Sequence, residues 1–273
     1  MKRKAYQALS KLGQSVSDSR LAKVPLIEQG YRSAKKRLDP EYIQYEGYTL
    51  HIPSYETVAQ RISEDGAHEK SVRDAISQNL SPGDTAIDLG AHYGSHTLSM
   101  ANYVGPGGYV IAFEPYPQAG KYLQRTIDTN SLRQVELVNR AVGNDNSSEA
   151  MVANDSSTFR SIDNFSENGT EKIEIDKIKL SAFMDNKEIE TVDLMKVDIE
   201  GGEGELFEDI HDVIEKFNAI VLEYHNNIVN EESGQFIFRN LEQHGSIETV
   251  SGRPIQTLNQ FLNCDEHMIW KLG

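Results

Sequence analysis

Thr85-Ala86-Ile87-Asp88-Leu89 runs directly into Gly90-Ala91-His92-Tyr93-Gly94, and the stretch from Thr85 to Pro115 decides the fold. The first five residues form an apolar run of the length of a buried parallel strand, broken only by an acid near its end. The two glycines then supply a tight turn. From Ser95 to Val104 the apolar residues Leu98, Met100, Ala101 and Val104 recur at helical spacings, so the first backbone N–H groups of the predicted helix point back toward whatever the turn cradles. Gly105-Pro106-Gly107-Gly108 stops that helix. Tyr109-Val110-Ile111-Ala112-Phe113 reads as the neighbouring strand, and Glu114-Pro115 closes it where a carboxylate can accept both hydroxyls of a ribose.

A dinucleotide fingerprint also has a glycine turn and an acid about 20 residues later. The glycines here stand as GxxxG rather than GxGxxG, and Asp88 precedes the turn, where its charge repels a pyrophosphate and suits a cation. S-adenosylmethionine carries a sulfonium and an ammonium and no phosphate. The stretch is therefore read as an adenosylmethionine site with Asp88, Gly90, Ala91, His92, Gly94, Glu114 and Pro115 as candidate cofactor contacts. Glycines that merely permit close strand–helix packing are the structural alternative.

The 273 residues suffice for one α/β domain with an appendage. Cys264 stands alone, which excludes an intramolecular disulfide and a cysteine-clustered zinc site and suits a reducing, cytoplasmic setting. No apolar run is long enough for a membrane span, and the first residues do not read as a signal peptide. The formal charge of −15 is uneven. Residues 1–38 hold ten Lys/Arg and two acids, or +8, leaving 17 Lys/Arg and 40 acids, or −23, for residues 39–273. So acidic a body is not expected to bind nucleic acid. The basic segment, with Ala5, Leu9, Leu12 and Val16 on one helical face, is read as a helical extension preceding a 39–273 catalytic domain. Two roles stay open for it: peripheral contact with an anionic membrane, or an arm lying on the body or on the second copy of a homodimer.

Along the chain, residues 42–52 alternate across Glu46-Gly47 as a hairpin. A helix is expected over Glu69–Leu80, placing Glu69 near the pocket mouth. Another follows over Gly120–Asn130, and a third strand, Val135-Glu136-Leu137-Val138, ends beside Asn139, which joins Glu69 among the cofactor candidates. Residues 143–190 break the alternation with a polar insertion holding one strand near 172–176 and a short helix near 180–184, the kind of segment where substrate choice resides. Strands are expected again at 192–197, 218–225, 246–250 and 267–272, and a helix at 236–244. Such alternation implies a mostly parallel sheet with ligands at the C-terminal strand ends.

Asp88-Leu89-Gly90-Ala91-His92-Tyr93-Gly94, Phe113-Glu114-Pro115, the spacing of Leu123 and Asn130, and Leu194-Met195-Lys196-Val197-Asp198-Ile199-Glu200-Gly201-Gly202-Glu203 together resemble the FkbM family of methyltransferases. The resemblance spans about Tyr42 to His225. It implies a class I methyltransferase (Rossmann-like) fold: a seven-stranded sheet ordered 3-2-1-4-5-7-6, its last strand antiparallel, with helices on both faces. It also implies S-adenosyl-L-methionine as cofactor and O-methylation of a sugar, glycan or related small metabolite. His92 stands where the family usually has Asn, and Leu180-Ser181-Ala182-Phe183 replaces the usual Leu-Asp pair.

Methyl transfer to a hydroxyl requires alignment and removal of a proton. Candidate bases are Asp198, Glu200, His225 and His96, with Asp198 favoured because it ends the strand beside the cofactor strand. The same acids, with Glu223, suit Mg²⁺, although no metal is assigned. Blander roles compete: Glu200 and Glu203 capping the following helix with Lys196 pairing one of them, His225 as a structural strand-end residue, His96 facing solvent. A nicotinamide-dependent enzyme and a non-catalytic component of glycan biosynthesis are the alternative functions.

Overall fold

The computed structural model describes residues 37–54, 56–153, 160–161 and 171–273, together with Leu9 and Ala34. Most of the basic extension, with both readings of its role, lies outside the described residues. The chain divides into two units, Met1–His68 and Glu69–Gly273. In the first, β1 (Tyr42–Tyr45) and β2 (Tyr48–His51) pair antiparallel. Glu46 and Gly47 between them have φ of 49° and 85°, the two left-handed residues that a tight hairpin turn requires. The helix α1 (Thr57–Asp65), which the sequence reading did not foresee, buries Ala59 and Ile62 and stops at Gly66.

The second unit begins with α2 (Lys70–Asn79) and then alternates: β3 (Thr85–Leu89), α3 (Ser95–Val104), β4 (Tyr109–Phe113), α4 (Pro117–Asn130), β5 (Val135–Val138). The insertion holds β6 (Ala141–Gly143), β7 (Ser148–Ala153), β8 (Arg160–Ser161), β9 (Glu171–Lys179) and α5 (Leu180–Asn186). The alternation resumes with β10 (Leu194–Val197), α6 (Glu203–Ile210), a 3₁₀ turn (His211–Lys216), β11 (Ala219–Leu222), α7 (Glu231–His244), β12 (Gly245–Thr249), α8 (Leu258–Leu262) and β13 (Met268–Leu272).

Seven strands form the main sheet in the order β5-β4-β3-β10-β11-β13-β12, with β13 antiparallel to both its neighbours. Numbered along the chain, that order is 3-2-1-4-5-7-6, as the resemblance implies. Strand order reverses between β3 and β10, so their C-terminal ends open a crevice. Every residue of β10 and β11 is buried, the mark of strands covered on both faces. Asp88 and Lys196 are the charged residues within β3 and β10, and the register sets them opposite each other.

The insertion is more ordered than its composition suggests, since β9 pairs antiparallel with β7 over six residues and parallel with β6. The polar residues flanking β7 hid its short apolar patch, and its ladder partners are β9 on one side and β8 on the other. Two helices begin earlier than periodicity indicates. The first, α4, starts at Pro117, whose ring suits a first helical turn, and the second, α7, is capped by the Asn230 side chain, which accepts from Ser233 N at 2.9 Å.

Gly90 has φ of +78°, and a Cβ there would lie 1.8 Å from the backbone oxygen of Asp198. Gly105 has φ of +64° with open space around it. Its ψ of −174° puts it in a region that essentially only glycine adopts, so Gly105→Ala should cost about 1–3 kcal/mol from conformation alone. Gly90→Ala adds a backbone clash and should cost at least about 2 kcal/mol more. Chemical unfolding of both variants checks the difference; equal losses would show that the β3–α3 turn is not wedged against β10.

Candidate active site

A lysine buried in the middle of a parallel sheet needs counter-charges, and Lys196 has them at both sides. Its Nζ lies 3.1 Å from Asp198 Oδ2 and 3.8 Å from Asp88 Oδ1. Burial works to discharge it, but Asp198, Asp88 and Glu69 outweigh burial and hold it charged, above the ordinary lysine value. Asp88 is fully buried. Its Oδ2 accepts from Thr97 Oγ1 at 2.6 Å, while Oδ1 accepts no hydrogen bond from a described residue. Burial favours the acid form of Asp198, yet the charges of Lys196 and His225 hold its carboxyl below the usual range.

The turn after β3 is shaped by its backbone. Gly90 N and Ala91 N both donate to Phe113 O, at 3.1 and 2.9 Å, which ties the turn to the end of β4. Gly94 has φ of +90°, and a Cβ there would meet Leu123 at 2.4 Å. His92 also lies in the left-handed region, φ 52°, which Asn, Asp and His adopt more readily than most residues. That turn aims His92 N at Glu114 Oε2, 2.6 Å away, and Tyr116 N donates to Glu114 Oε1 at 2.7 Å. The buried Glu114 is thus fixed by one backbone donor on each oxygen, and each oxygen keeps a further lone pair. Burial pushes its carboxyl up to about 7, with Asp88 adding to the rise and the two N–H donors and Lys196 opposing it. Pro115 follows half-buried, and Asn139 is exposed past the end of β5 with its side chain against Gly120.

Beside this turn the ends of β10 and β11 carry a second group. His225 Nδ1 meets Glu203 Oε1 at 2.5 Å, and its Nε2 lies 3.8 Å from each of Asp198 Oδ1, Glu200 Oε2 and Glu223 Oε1. Burial works against the imidazolium, but Glu203, Glu200 and Asp198 raise its pKa to about 9. His267 Nε2 lies 3.1 Å from Glu223 Oε2 and 3.7 Å from Glu69 Oε2. Its pKa also rises, because Glu223 and Glu69 outweigh burial. His96 Nε2 lies 3.0 Å from Glu69 Oε2.

The fold thus brings Asp88, Asp198, Glu200, His225 and Glu69 to the C-terminal ends of β3, β10 and β11, with Gly90, Ala91, His92 and Gly94 in the turn and Glu114 ending β4. Asn139 follows β5 on the adjacent strand end, where Glu114 N donates to Val138 O at 3.0 Å. His96 is buried rather than solvent-facing, because Glu69 ends the segment before α2 and reaches the first turn of α3. Glu203 does open α6, yet it is fully buried against His225, which a capping role alone does not require. Sequence reading missed Thr97 and His267. Thr97 carries no signal beyond its place in the first turn of α3, and His267 joins only because β13 returns antiparallel beside β11.

The sequence profile of the methyltransferase FkbM domain matches residues 88–248, more than half of the chain. No curated protein matches. Among solved structures, the chain is similar to a putative rRNA methylase from Clostridium thermocellum, at 15% identity over 75% of this chain and 95% of that one, with a TM-score of 0.46. It is similar to a putative methyltransferase from Streptococcus mutans in complex with SAH, at 15% identity over 74% and 97%, TM-score 0.43. A SAM-dependent O-methyltransferase from Thermotoga maritima aligns at 15% identity over 89% and 82%, TM-score 0.40. The matched residues include the buried acid before the glycine turn and the KxDxEGxE segment at the switch point, and this chain belongs to the FkbM family of S-adenosylmethionine-dependent methyltransferases.

Proposed function

We propose that this protein methylates a hydroxyl of a sugar, glycan or related small metabolite, with Asp198 orienting and deprotonating that hydroxyl. The observation that supports the reading is the Asp88–Lys196–Asp198 line, which holds the Asp198 carboxylate next to β3 at the point where strand order reverses.

The residues present fit the cofactor. Asp88 Oδ1 is a buried acceptor with no hydrogen bond from a described residue, and it suits an ammonium or sulfonium. Glu114 keeps one lone pair on each oxygen for a ribose diol. Gly94, the N-cap of α3, brings no side chain to the helix's first N–H groups, which leaves them facing the turn. When bound, S-adenosylmethionine supplies a methyl group activated by its positive sulfur. The protein's part is to hold the acceptor oxygen in line and to receive its proton at Asp198. Asp198 is held below the usual carboxylate range, which favours its ionised form, whereas the pKa of His225, raised to about 9 by Glu203, Glu200 and Asp198, favours the imidazolium over a basic imidazole. Glu200 and Glu223, each about a third exposed or less, border the same mouth and can accept hydrogen bonds from neighbouring hydroxyls. A mouth of carboxylates repels a phosphodiester backbone, which supports a neutral hydroxyl acceptor over nucleic acid. The nicotinamide-dependent alternative is weakened by the same acids, since Asp88 before the turn repels a pyrophosphate.

Asp198→Asn should lower turnover at least about 100-fold while leaving S-adenosylhomocysteine affinity little changed. S-adenosylhomocysteine release would be followed over a panel of alkyl glycosides, an unstructured RNA and a lysine peptide. Turnover of RNA or peptide alone would sink the hydroxyl reading, and a fully active Asp198→Asn variant would remove Asp198 from the reaction.

Asp88→Ala and Glu114→Gln should each weaken S-adenosylhomocysteine binding at least about tenfold, as loss of a hydrogen bond to a charged group does. Glu114 accepts from a diol in its ionised form, so affinity should fall as pH drops through about 7. Binding below that pH should release a proton, and Glu114→Gln should abolish the release. Calorimetry in buffers of different ionisation heat measures it, and proton-neutral binding at pH 6 would refute the assignment of Glu114 to the ribose.

A further inference from the structure

Glu203 is fully buried at the start of α6, where a carboxylate is costly unless a cation or several donors meet it. Its Oε1 pairs with His225 Nδ1 at 2.5 Å, and its Oε2 accepts no hydrogen bond from a described residue. The imidazole therefore carries the pairing of that carboxylate. On the other side of the ring, Nε2 stands 3.8 Å from carboxylate oxygens of Asp198, Glu200 and Glu223. Three carboxylates around one point repel one another unless a positive charge sits at the centre. The backbone is bent to make this arrangement. Glu200 lies in the left-handed region at φ 47°, and Gly201 follows at φ 102°, where a Cβ would meet Ile228 at 2.6 Å. A non-glycine residue held there costs about 1–3 kcal/mol, which persists only where the surroundings enforce it.

We propose that Glu203 is a positioning residue that keeps His225 as an imidazolium with Nε2 turned into the mouth, so that one cation gathers Asp198, Glu200 and Glu223 into a single acceptor-facing cluster. The proposal rests on the reading of Asp198 as the acceptor-facing group. The charged groups around the ring come from every element packed on it: Asp198 and Glu200 after β10, Glu203 of α6, and Glu223 after β11. Beyond these stand Lys196 against Asp198, His267 against Glu223, and the hydroxyl of Tyr224 within the field of Glu203. The sign of the pH dependence follows. A histidine whose pKa rises from 6.5 to about 9 contributes its full attraction below pH 6.5 and loses it as pH rises through about 9. Loss of the cation lets the three carboxylates separate, so turnover should fall across that range. A histidine acting as the base would make turnover rise instead.

The test uses the full chain and Glu203→Gln, which keeps the shape and removes the charge. Nitrogen NMR of labelled histidine, with and without S-adenosylhomocysteine, reads the ionisation of His225 and needs no methyl acceptor. Wild-type His225 should be protonated at neutral pH and titrate near 9, and Glu203→Gln should lower that midpoint by about one unit or more, a tenfold change in proton affinity. The high-pH limb of turnover on the alkyl glycosides should move down with it, and Glu203→Asp should restore most of both. A wild-type midpoint near 6.5, a midpoint unmoved in Glu203→Gln, or a turnover limb that stays in place while the midpoint moves each overturns the proposal. If Glu203→Gln does not fold, the wild-type and Glu203→Asp titrations decide. If no glycoside is turned over, the hydroxyl reading fails, while the NMR titration still decides whether Glu203 holds the cation.

Discussion

The site depends on one buried cation. Lys196 sits in the centre of the main sheet, where an unpaired ammonium would be intolerable, and it is neutralised by Asp88 on the adjacent strand and Asp198 just past its own. Removing either partner from such a group typically costs about 3–5 kcal/mol. The same pairing couples two strands: Asp88 within β3 and Asp198 just past β10 are held by a single ammonium, in a register fixed by β3–β10 pairing. Neither acid can shift without uncovering the lysine.

Around that line the backbone, rather than the side chains, sets the tolerances. Gly90 lies so close to the Asp198 carbonyl that any Cβ would enter it, and Gly94 does the same against Leu123. His92 takes the left-handed conformation between them, which turns its N–H onto Glu114. The turn is therefore braced on three sides, against β10, α4 and the end of β4. Pre-arranged donors and acceptors of this kind lose little entropy when a ligand arrives.

The electrostatics of the mouth divide by depth. Lys196 and Asp88 are sealed from water, and their mutual field is strong. Asp198, Glu200 and Glu223 are partly open, and their charges are softened by solvent as well as by His225 and His267. The body carries −23 beyond the first 38 residues, so the mouth is one local expression of a charge that pervades the domain. Among the described residues, no helix is long and apolar enough to cross a membrane.

Much of this was legible in the sequence alone. The run Thr85–Gly94, the acid after Phe113 and the KxDxEGxE segment determined a mostly parallel sheet, because strand length, glycine turns and helix periodicity are local properties of the chain. Strand order followed from the family resemblance and was met in full. What tertiary structure alone decided lies in contacts between residues distant along the chain. The burial of His96 depends on Glu69 reaching α3, the presence of His267 depends on the antiparallel return of β13, and the link from Glu203 to His225 joins residues 22 apart. The strand β7 escaped notice because its short apolar patch lies inside a Ser/Asn/Asp-rich stretch, and its pairing with β9 and β8 joins residues distant along the chain. Local pattern tells a residue which element it belongs to; which charges then face one another is decided by how the elements cross.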